Sequence, residues 1–557
     1  MPAENKKKRL AADAVCWILL AVFAFYVNRD IVIKGLYMDD LYMWSCYGEQ
    51  SLLEFAFPIG TSTRFRPVYW LATYLQMAIV GNHISWFVPF NIICNLIAAY
   101  SLYYMAKKLG PAGFPGQILG FLSGICYLVS RFAYYQIGQA LGLMETMALV
   151  MALWVLYLLY RYLNAPHERT RAELIAEGER ARSRGKKTSL SIRMLPCGDW
   201  RFALALLLYF LLVFTHERYL ALLPLFYLAF LFRCMRERRA YRTAFLREKY
   251  GFLIAPALVF ILIFLIRRLC IGSAIPAGTG GTEVTDTFSL SEALSYAVSQ
   301  VLYIFGVNAG PEHLCGLPWS ETPENIKLLV KLSLLPLLVI CAAYGVLLLI
   351  RLAGKDREKR RAGFWELQDI VLFLGFIALC IGCSSVTIRV EMRWIYVSYA
   401  AALLFCAYLI GRVTDAVKGK RMAAVLPALL FFLYTGLSVC TNVFYRQYYP
   451  KLYFWPNQLR MNSLAEETWE KYGDGIFGKD IYILENSYGM SDFYKDTFFK
   501  TFDKNKKAEG TRVFFIDSVS EIPEEDIRSG ALIVLKEVPE ENAYRDVTGE
   551  VLSGETE

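Results

Sequence analysis

Charge is scarce in this chain. Of 557 residues only 20% are Asp, Glu, Lys or Arg, where an ordinary soluble protein carries about 25%. Hydrophobic residues make up 56% and mean hydropathy is +0.36. That balance excludes a soluble globular enzyme and also a disordered chain. Metal-binding patterns are missing as well, since no paired CxxC and no Cys/His group has zinc spacing. The 13 cysteines do not form a disulfide framework. Cys16, Cys94, Cys126, Cys341, Cys380, Cys383, Cys406 and Cys440 lie in apolar runs, where thiols act as small hydrophobes. Cys380 and Cys383 make a lone CxxC inside such a run and read as packing. No small-residue cleavage site follows Trp17–Tyr26, so that segment reads as a first membrane helix and not as a removable signal. Repeats and low-complexity tracts are absent, apart from a Gly/Thr-rich stretch at Gly278–Thr285.

Long apolar runs are abundant: Phe202–Phe214, Phe252–Ile266, Leu328–Ile350 and Val371–Ile381 among them. With their flanks they approach the ~20 residues that a bilayer selects. Net charge is +9, but residues 443–557 hold 14 Lys and Arg against 22 Asp and Glu, leaving the remainder at +17. The excess sits in a few loops: Lys6–Arg9, Lys107 and Lys108, 161–201, 233–249, Arg351–Arg361 and Arg412–Arg421. Residues 269–326 contain no Lys or Arg. This is a topology signal, not a nucleic-acid footprint. Placing every basic loop in the cytoplasm predicts eleven crossings, near 12–28, 84–106, 113–130, 143–162, 202–214, 219–232, 251–269, 328–350, 368–386, 395–411 and 422–442. The N-terminus is then cytoplasmic and the C-terminus outside. Residues 66–80 read as a further crossing or as a helix on the outer surface, and charge favours the surface. The outer face then carries loop 29–83, a hairpin tip at 215–219, loop 270–326 with a helix near Ser291–Phe305, and the tail. The predicted fold class is an all-α polytopic membrane domain over 1–442 followed by a small soluble α/β domain over 443–557. Its strand-like runs are Ile481–Leu484, Val513–Ile516 and Leu532–Leu535.

The sharpest chemical feature is Asp39-Asp40, two adjacent carboxylates just beyond the first membrane helix, in apolar and aromatic company. Adjacent acids repel unless something offsets them. They also suit a helix N-terminus, where unpaired N–H groups favour Asp. Arg64 and Arg66 fall on the wrong side for positive-inside charge. They fit headgroup contact or a phosphate clamp, which guanidinium suits through paired hydrogen bonds. His216, Glu217 and Arg218 sit in the hairpin tip, as a structural ion pair or as site contacts. Arg389, Glu391 and Arg393 repeat the pattern between two late helices. Arg131, Arg267 and Arg268 are weaker instances, and Glu145 is placed to pair with one of them. His313 is a lone loop histidine. Every wrong-side arginine shares a face with the two aspartates. A carboxylate pair ringed by arginine suggests a general base facing a phosphate-bearing lipid.

Taken together, Met38-Asp39-Asp40 after one helix, Arg66-Pro67, Gly81-Asn82, Asn91 and Asn95, the turn at Thr215–Pro224 and Arg393-Trp394-Ile395-Tyr396 resemble the polytopic GT-C glycosyltransferases. The resemblance covers roughly 1–440. The protein O-mannosyltransferases and aminoarabinose transferases of this class carry Asp-Glu in the first outer loop; the Asp-Asp of this chain resembles their bacterial relatives more closely. By that resemblance Asp39 is the catalytic base, and Asp40 orients it or the acceptor. Arg64, Arg66, Arg218, Arg389 and Arg393 would meet the donor phosphate, with His216, Glu217, Glu391 and His313 serving the acceptor or the site's frame. No Asp-x-Asp is present, so a divalent metal is not supported by motif. The implied partners are a polyprenyl-phosphate-linked sugar, membrane lipid, and a cell-envelope glycan, glycolipid or protein acceptor. The implied location is the plasma membrane, with catalysis on its outer face.

The reaction so implied is a direct displacement that inverts the sugar's anomeric carbon. Carboxylates, with an ordinary pKa of about 4, are too weak to ionise an alcohol beforehand. Proton transfer then accompanies bond formation, and positioning carries much of the rate. A lipid or polysaccharide transporter would instead place charge mid-membrane and favour repeated halves. A ligase or polymerase of O-antigen type would lack the early Asp pair, and a scaffold presenting the tail would tolerate loss of Asp39 and Asp40. The outer, acidic tail suits acceptor capture.

Overall fold

Hydrophobic runs that nothing in the chain covers must lie in lipid. The computed structural model describes residues 3–59, 64–140, 142–165, 199–237, 250–276, 288–307, 317–386, 392–417, 421–447, 455–505 and 511–554. Among these, nine helices are long and apolar enough to cross a bilayer: Lys7–Val27, Ile84–Leu109, Gly142–Leu163, Glu217–Arg236, Gly251–Ile271, Glu324–Ala353, Arg357–Ser385, Arg393–Ala416 and Val425–Arg446. Two further expected crossings are shorter helices, Phe114–Val129 and Trp200–Val213. Burial sorts them. The most apolar stretch is 83% buried in Arg393–Ala416 and 78% in Gly142–Leu163, but 11% in Lys7–Val27 and 17% in Gly251–Ile271. The first two form the centre, and the last two present Leu, Ile, Val and Phe outward, which only lipid tolerates on this scale. The protein is an integral multi-pass membrane protein.

In chain order the first elements are α1 (Ala3–Val27), α2 (Asp39–Glu49), α3 (Leu52–Ala56), α4 (Pro67–Val80), α5 (Phe87–Leu109), α6 (Phe114–Val129), α7 (Arg131–Ile137) and α8 (Gly142–Leu163). Pro67 opens α4 at its first position, where a missing N–H costs nothing. At 14 residues α4 spans about 21 Å, as does Trp200–Val213, short of a bilayer core of about 30 Å. The hairpin after α8 is Trp200–Val213, a 3-10 turn at Glu217–Leu222, and Leu223–Glu237. The helix expected near 291–305 is Leu290–Ile304.

At the far end of α8 a buried carboxylate fastens four helices. Asp369 Oδ1 accepts from Arg236 Nη2 at 2.8 Å and from Asn164 Nδ2 at 3.0 Å, and its Oδ2 accepts from the Tyr408 hydroxyl at 3.2 Å. Arg236 also donates to Gln368 and to Asn164 Oδ1. Both charges are nearly inaccessible.

The C-terminal domain is built on helix Trp455–Ala465 and a four-stranded sheet ordered β2-β1-β3-β4. Strands β1 (Asp480–Leu484), β2 (Arg512–Ile516) and β3 (Leu532–Val538) are parallel, with Ile481 opposite Val513 and Ile533. β4 (Ala543–Asp546) joins β3 antiparallel. It was not expected from sequence, because Tyr544 is the only large apolar residue in its four. Alternation splits the sheet. Ile481, Ile483, Ile533 and Leu535 belong, with Met461 and Leu464, to the core shared with the membrane helices. Tyr482, Leu484, Leu532 and Val534 form a second core with Val547 and Val551.

Removing one partner of a buried ion pair strands the other charge. Asp369→Ala is expected to cost about 3–5 kcal/mol, read as a lowered thermal midpoint of the detergent-solubilised protein. Adding Arg236→Met should restore part of it, and an unchanged midpoint in the single variant would refute the role given to Asp369.

Candidate functional site

The acidic pair starts α2. Asp39 is exposed, whereas Asp40 is 4% exposed and its Oδ2 accepts the Ala140 N–H at 2.8 Å. One carboxylate therefore points to the opening and its neighbour is built into the frame. The partner amide belongs to the turn before α8. That turn is held by Asn91, whose Nδ2 donates to the carbonyls of Ile137 and Gln139 and whose Oδ1 accepts from Gln76. Asn95 bonds Thr146 and Tyr127 one turn deeper. A ladder of amides across α4, α5, α6 and α8 thus supports the position of Asp40.

The arginines are organised by two glutamates. Glu217 Oε2 accepts from Arg66 Nε at 2.6 Å, and its Oε1 lies 3.4 Å from Arg267 Nη1 and 3.3 Å from the Phe65 N–H. Phe65 is fully buried and packs edge-on against Phe214 at 5.8 Å between centroids. Glu145, in the first turn of α8, is paired with Arg218, which also donates to the Tyr219 hydroxyl at 2.9 Å. Sequence reading placed Glu145 against Arg131, Arg267 or Arg268; the structure pairs it with Arg218. The reason is the turn at Thr215–Arg218, which folds inward so that its charges are buried. Arg131 donates elsewhere, to the Tyr303 carbonyl, and Arg268 to that of Gly272.

His216 stands among these charges. Its Nδ1 accepts the Arg218 N–H at 3.4 Å, leaving Nε2 to carry the proton, 3.7 Å from Glu145 Oε1. Burial first, then Arg66, Arg218, Arg393 and Arg64, hold its pKa well below the ordinary value, so it is neutral. Arg64 lies at the mouth of the cluster, open to solvent on one side but crowded by protein on the other. Burial and the nearby Arg66 lower its pKa, with Arg393 adding to the effect and Glu217 and Asp39 opposing it. Five arginines (64, 66, 218, 267, 393) therefore surround four carboxylates (39, 40, 145, 217) and a neutral imidazole. The local balance is positive, which suits an anion.

Of the residues singled out in the sequence, Asp39, Asp40, Arg64, Arg66, His216, Glu217, Arg218 and Arg393 come together. Arg389, Glu391 and His313 lie outside the described residues. Arg267 joins the cluster although its sequence signal was weak, an arginine pair at the end of an apolar helix. Among the described residues no group of three His, Cys, Asp or Glu could hold a metal ion.

No protein-family model and no curated protein matches the chain. Solved structures do. ArnT from Cupriavidus metallidurans, bound to undecaprenyl phosphate, is similar over 94% of this chain and 92% of its own, at 11% identity and a TM-score of 0.40. The archaeal oligosaccharyltransferase AglB from Archaeoglobus fulgidus, in complex with an inhibitory peptide and a dolichol-phosphate, is similar over 94% of this chain and 69% of its own, also at 11% and 0.40. A structure of the A. fulgidus oligosaccharyltransferase with Zn and sulfate matches 90% of this chain and 62% of its own, at 11% and 0.39. At that identity no residue of these proteins maps onto this chain.

The buried neutral imidazole has a pH consequence. The unfolded chain takes up a proton near pH 6.5 and the folded chain does not, so this contribution is complete above about 6.5 and is lost as pH falls. The thermal midpoint should drop between pH 7 and 5.5, and His216→Gln should flatten the drop. An identical slope in the variant would count against it.

Proposed function

We propose that this protein is a membrane glycosyltransferase that moves a sugar from a polyprenyl-phosphate donor to an acceptor hydroxyl. The observation that carries the proposal is the exposed Asp39 carboxylate at the open edge of a net-positive arginine cluster, at one end of a lipid-embedded bundle. Undecaprenyl phosphate and dolichol-phosphate, bound in the ArnT and AglB structures, are of this lipid class; the support here is the chain's own arginines.

The roles follow from the geometry. Asp39 takes the proton of the acceptor hydroxyl as its oxygen bonds to the anomeric carbon, and the bond from that carbon to phosphate oxygen breaks on the opposite side. The configuration inverts. Arg64 and Arg393, beside the mouth, meet the charge that gathers on the departing phosphate. Arg66, Arg218 and Arg267 are tied to Glu217 and Glu145, which fixes their direction in advance. Asp40, locked to Ala140, holds the first turn of α2 and keeps Asp39 at the opening. On α5, α8 and helix Leu223–Glu237, which run away from the site, Lys107, Lys108, Arg161 and Arg236 sit in the last turn. By the positive-inside rule the site faces the outer surface of the plasma membrane, where an envelope glycan, glycolipid or protein supplies the hydroxyl.

Purified protein, given radiolabelled polyprenyl-phosphate sugars, should transfer label. Asp39→Asn should lower transfer by about 10²–10⁴-fold with donor binding kept, whereas Arg64→Ala should weaken donor binding. Asp39→Asn at full rate would remove Asp39 from the chemistry. Transport of lipid in vesicles without transfer by any variant would replace the reading altogether.

A further inference from the structure

The loop that delivers the acidic pair is held almost residue by residue by the C-terminal domain. Asn462 Nδ2 donates to the Val32 carbonyl at 2.8 Å, and its Oδ1 accepts the Lys34 N–H at 2.8 Å. Gln458 Nε2 donates to the Gly35 carbonyl at 2.7 Å. Gly35 lies so close to helix Trp455–Ala465 that a Cβ would come within 2.5 Å of the Met461 carbonyl oxygen. Lys34 Nζ pairs with Glu466 and Glu470. Asn457 Nδ2 donates to the Tyr37 hydroxyl at 2.8 Å, and the Tyr37 ring stacks on Tyr494 at 6.0 Å between centroids. Finally the Met38 N–H donates to the Tyr494 hydroxyl at 3.0 Å.

Met38 is where this grip matters. Its φ of 46° and ψ of −120° form a conformation that a side chain bearing a Cβ rarely adopts. Among the described residues only Glu485 and Asn542 share a positive φ without being glycine, and neither borders the candidate site. Such residues persist when their surroundings over-determine them. The carbonyls of Tyr37 and Met38 accept the N–H groups of Asp40 and Tyr42, so the bend at Met38 sets the origin and direction of α2. Asp39 sits between two anchors: Tyr494 on the C-terminal domain, one residue before it, and Ala140 on the membrane bundle, bound to the residue after it.

We propose that the C-terminal domain is a working part of the site, with Tyr494 and Asn457 as positioning residues that hold Tyr37 and Met38 in this bend and thereby aim Asp39. This rests on the reading of Asp39 as base. The domain then contributes to the rate of transfer itself, apart from any contact with acceptor.

The test uses the full chain, a radiolabelled polyprenyl-phosphate sugar, and amide hydrogen exchange over residues 36–42. Tyr494→Phe keeps the ring and removes the hydroxyl that accepts from Met38. It should lower kcat on the order of tenfold or more, leave donor KM within about twofold, and speed exchange over 36–42. Asn457→Ala, which removes the amide that donates to the Tyr37 hydroxyl, should show the same split. Glycine takes the Met38 conformation without a clamp, so Met38→Gly placed in Tyr494→Phe should recover most of the lost kcat. A merely structural contact would give no such rescue. Unchanged kcat in both clamp variants while Asp39→Asn is inactive would overturn the clamp and leave the base reading standing. A loss that Met38→Gly does not repair would do the same. Full activity in Asp39→Asn would overturn the base reading, and the clamp with it.

Discussion

A single carboxylate, Glu217, ties together stretches of chain 151 and 50 residues away from it, through Arg66 and Arg267. Its burial leaves little freedom. A charge removed from water must find opposite charge and hydrogen bonds, or be neutralised. Glu217 finds two guanidiniums and a backbone amide, and the cost of losing any of them fixes the 64–67 segment, the inward turn at 215–218 and the end of helix Gly251–Ile271 in one arrangement. Glu145 does the same for Arg218. The neutral state of His216 follows from its own burial first, and then from the four arginines that crowd it. The cluster is rigid because its charges compensate one another, and it keeps a positive remainder because the arginines outnumber the acids.

Much of this was legible in the sequence because lipid imposes a simple rule on composition. Eleven apolar runs became helices, and the charge map marked which ends of them carry basic loops. Asp39, Asp40 and the wrong-side arginines stood out for the same reason: charge near an apolar run has to be explained. What was not legible was pairing. Nothing in one sequence says whether Arg66 is spoken for by Glu217 or by a ligand, or that Glu145 meets Arg218 rather than Arg267, because those contacts depend on how distant helices rotate. The grip on the first loop was also hidden. Asn457, Gln458 and Asn462 in helix Trp455–Ala465 were the available signal, three amides on a short helix otherwise rich in apolar residues. Amides there read as ordinary surface until the partner backbone is in view.

The C-terminal sheet shows how the two halves became one body. β1 is buried on both faces. One face contributes to the same hydrophobic core as the membrane helices, and the other closes over its own small core with Val547 and Val551. Alternation along three parallel strands is enough to serve both, since a shift of register by one residue would exchange the faces. Asn82, which bonds the Phe502 carbonyl, adds a second polar seam between the halves.

The bond between Lys34 and Asn462 closes a separation of 428 residues. Ribosomes add about 5–20 residues per second, so the first loop leaves the ribosome some tens of seconds before the residues that shape it. Through that interval a growing chain can hold its early helices in the membrane but has no Asn457 or Tyr494 to bend Met38. Assembly of the acidic site therefore waits on residues 457–494, and a chain cut short before them lacks the contacts that aim Asp39.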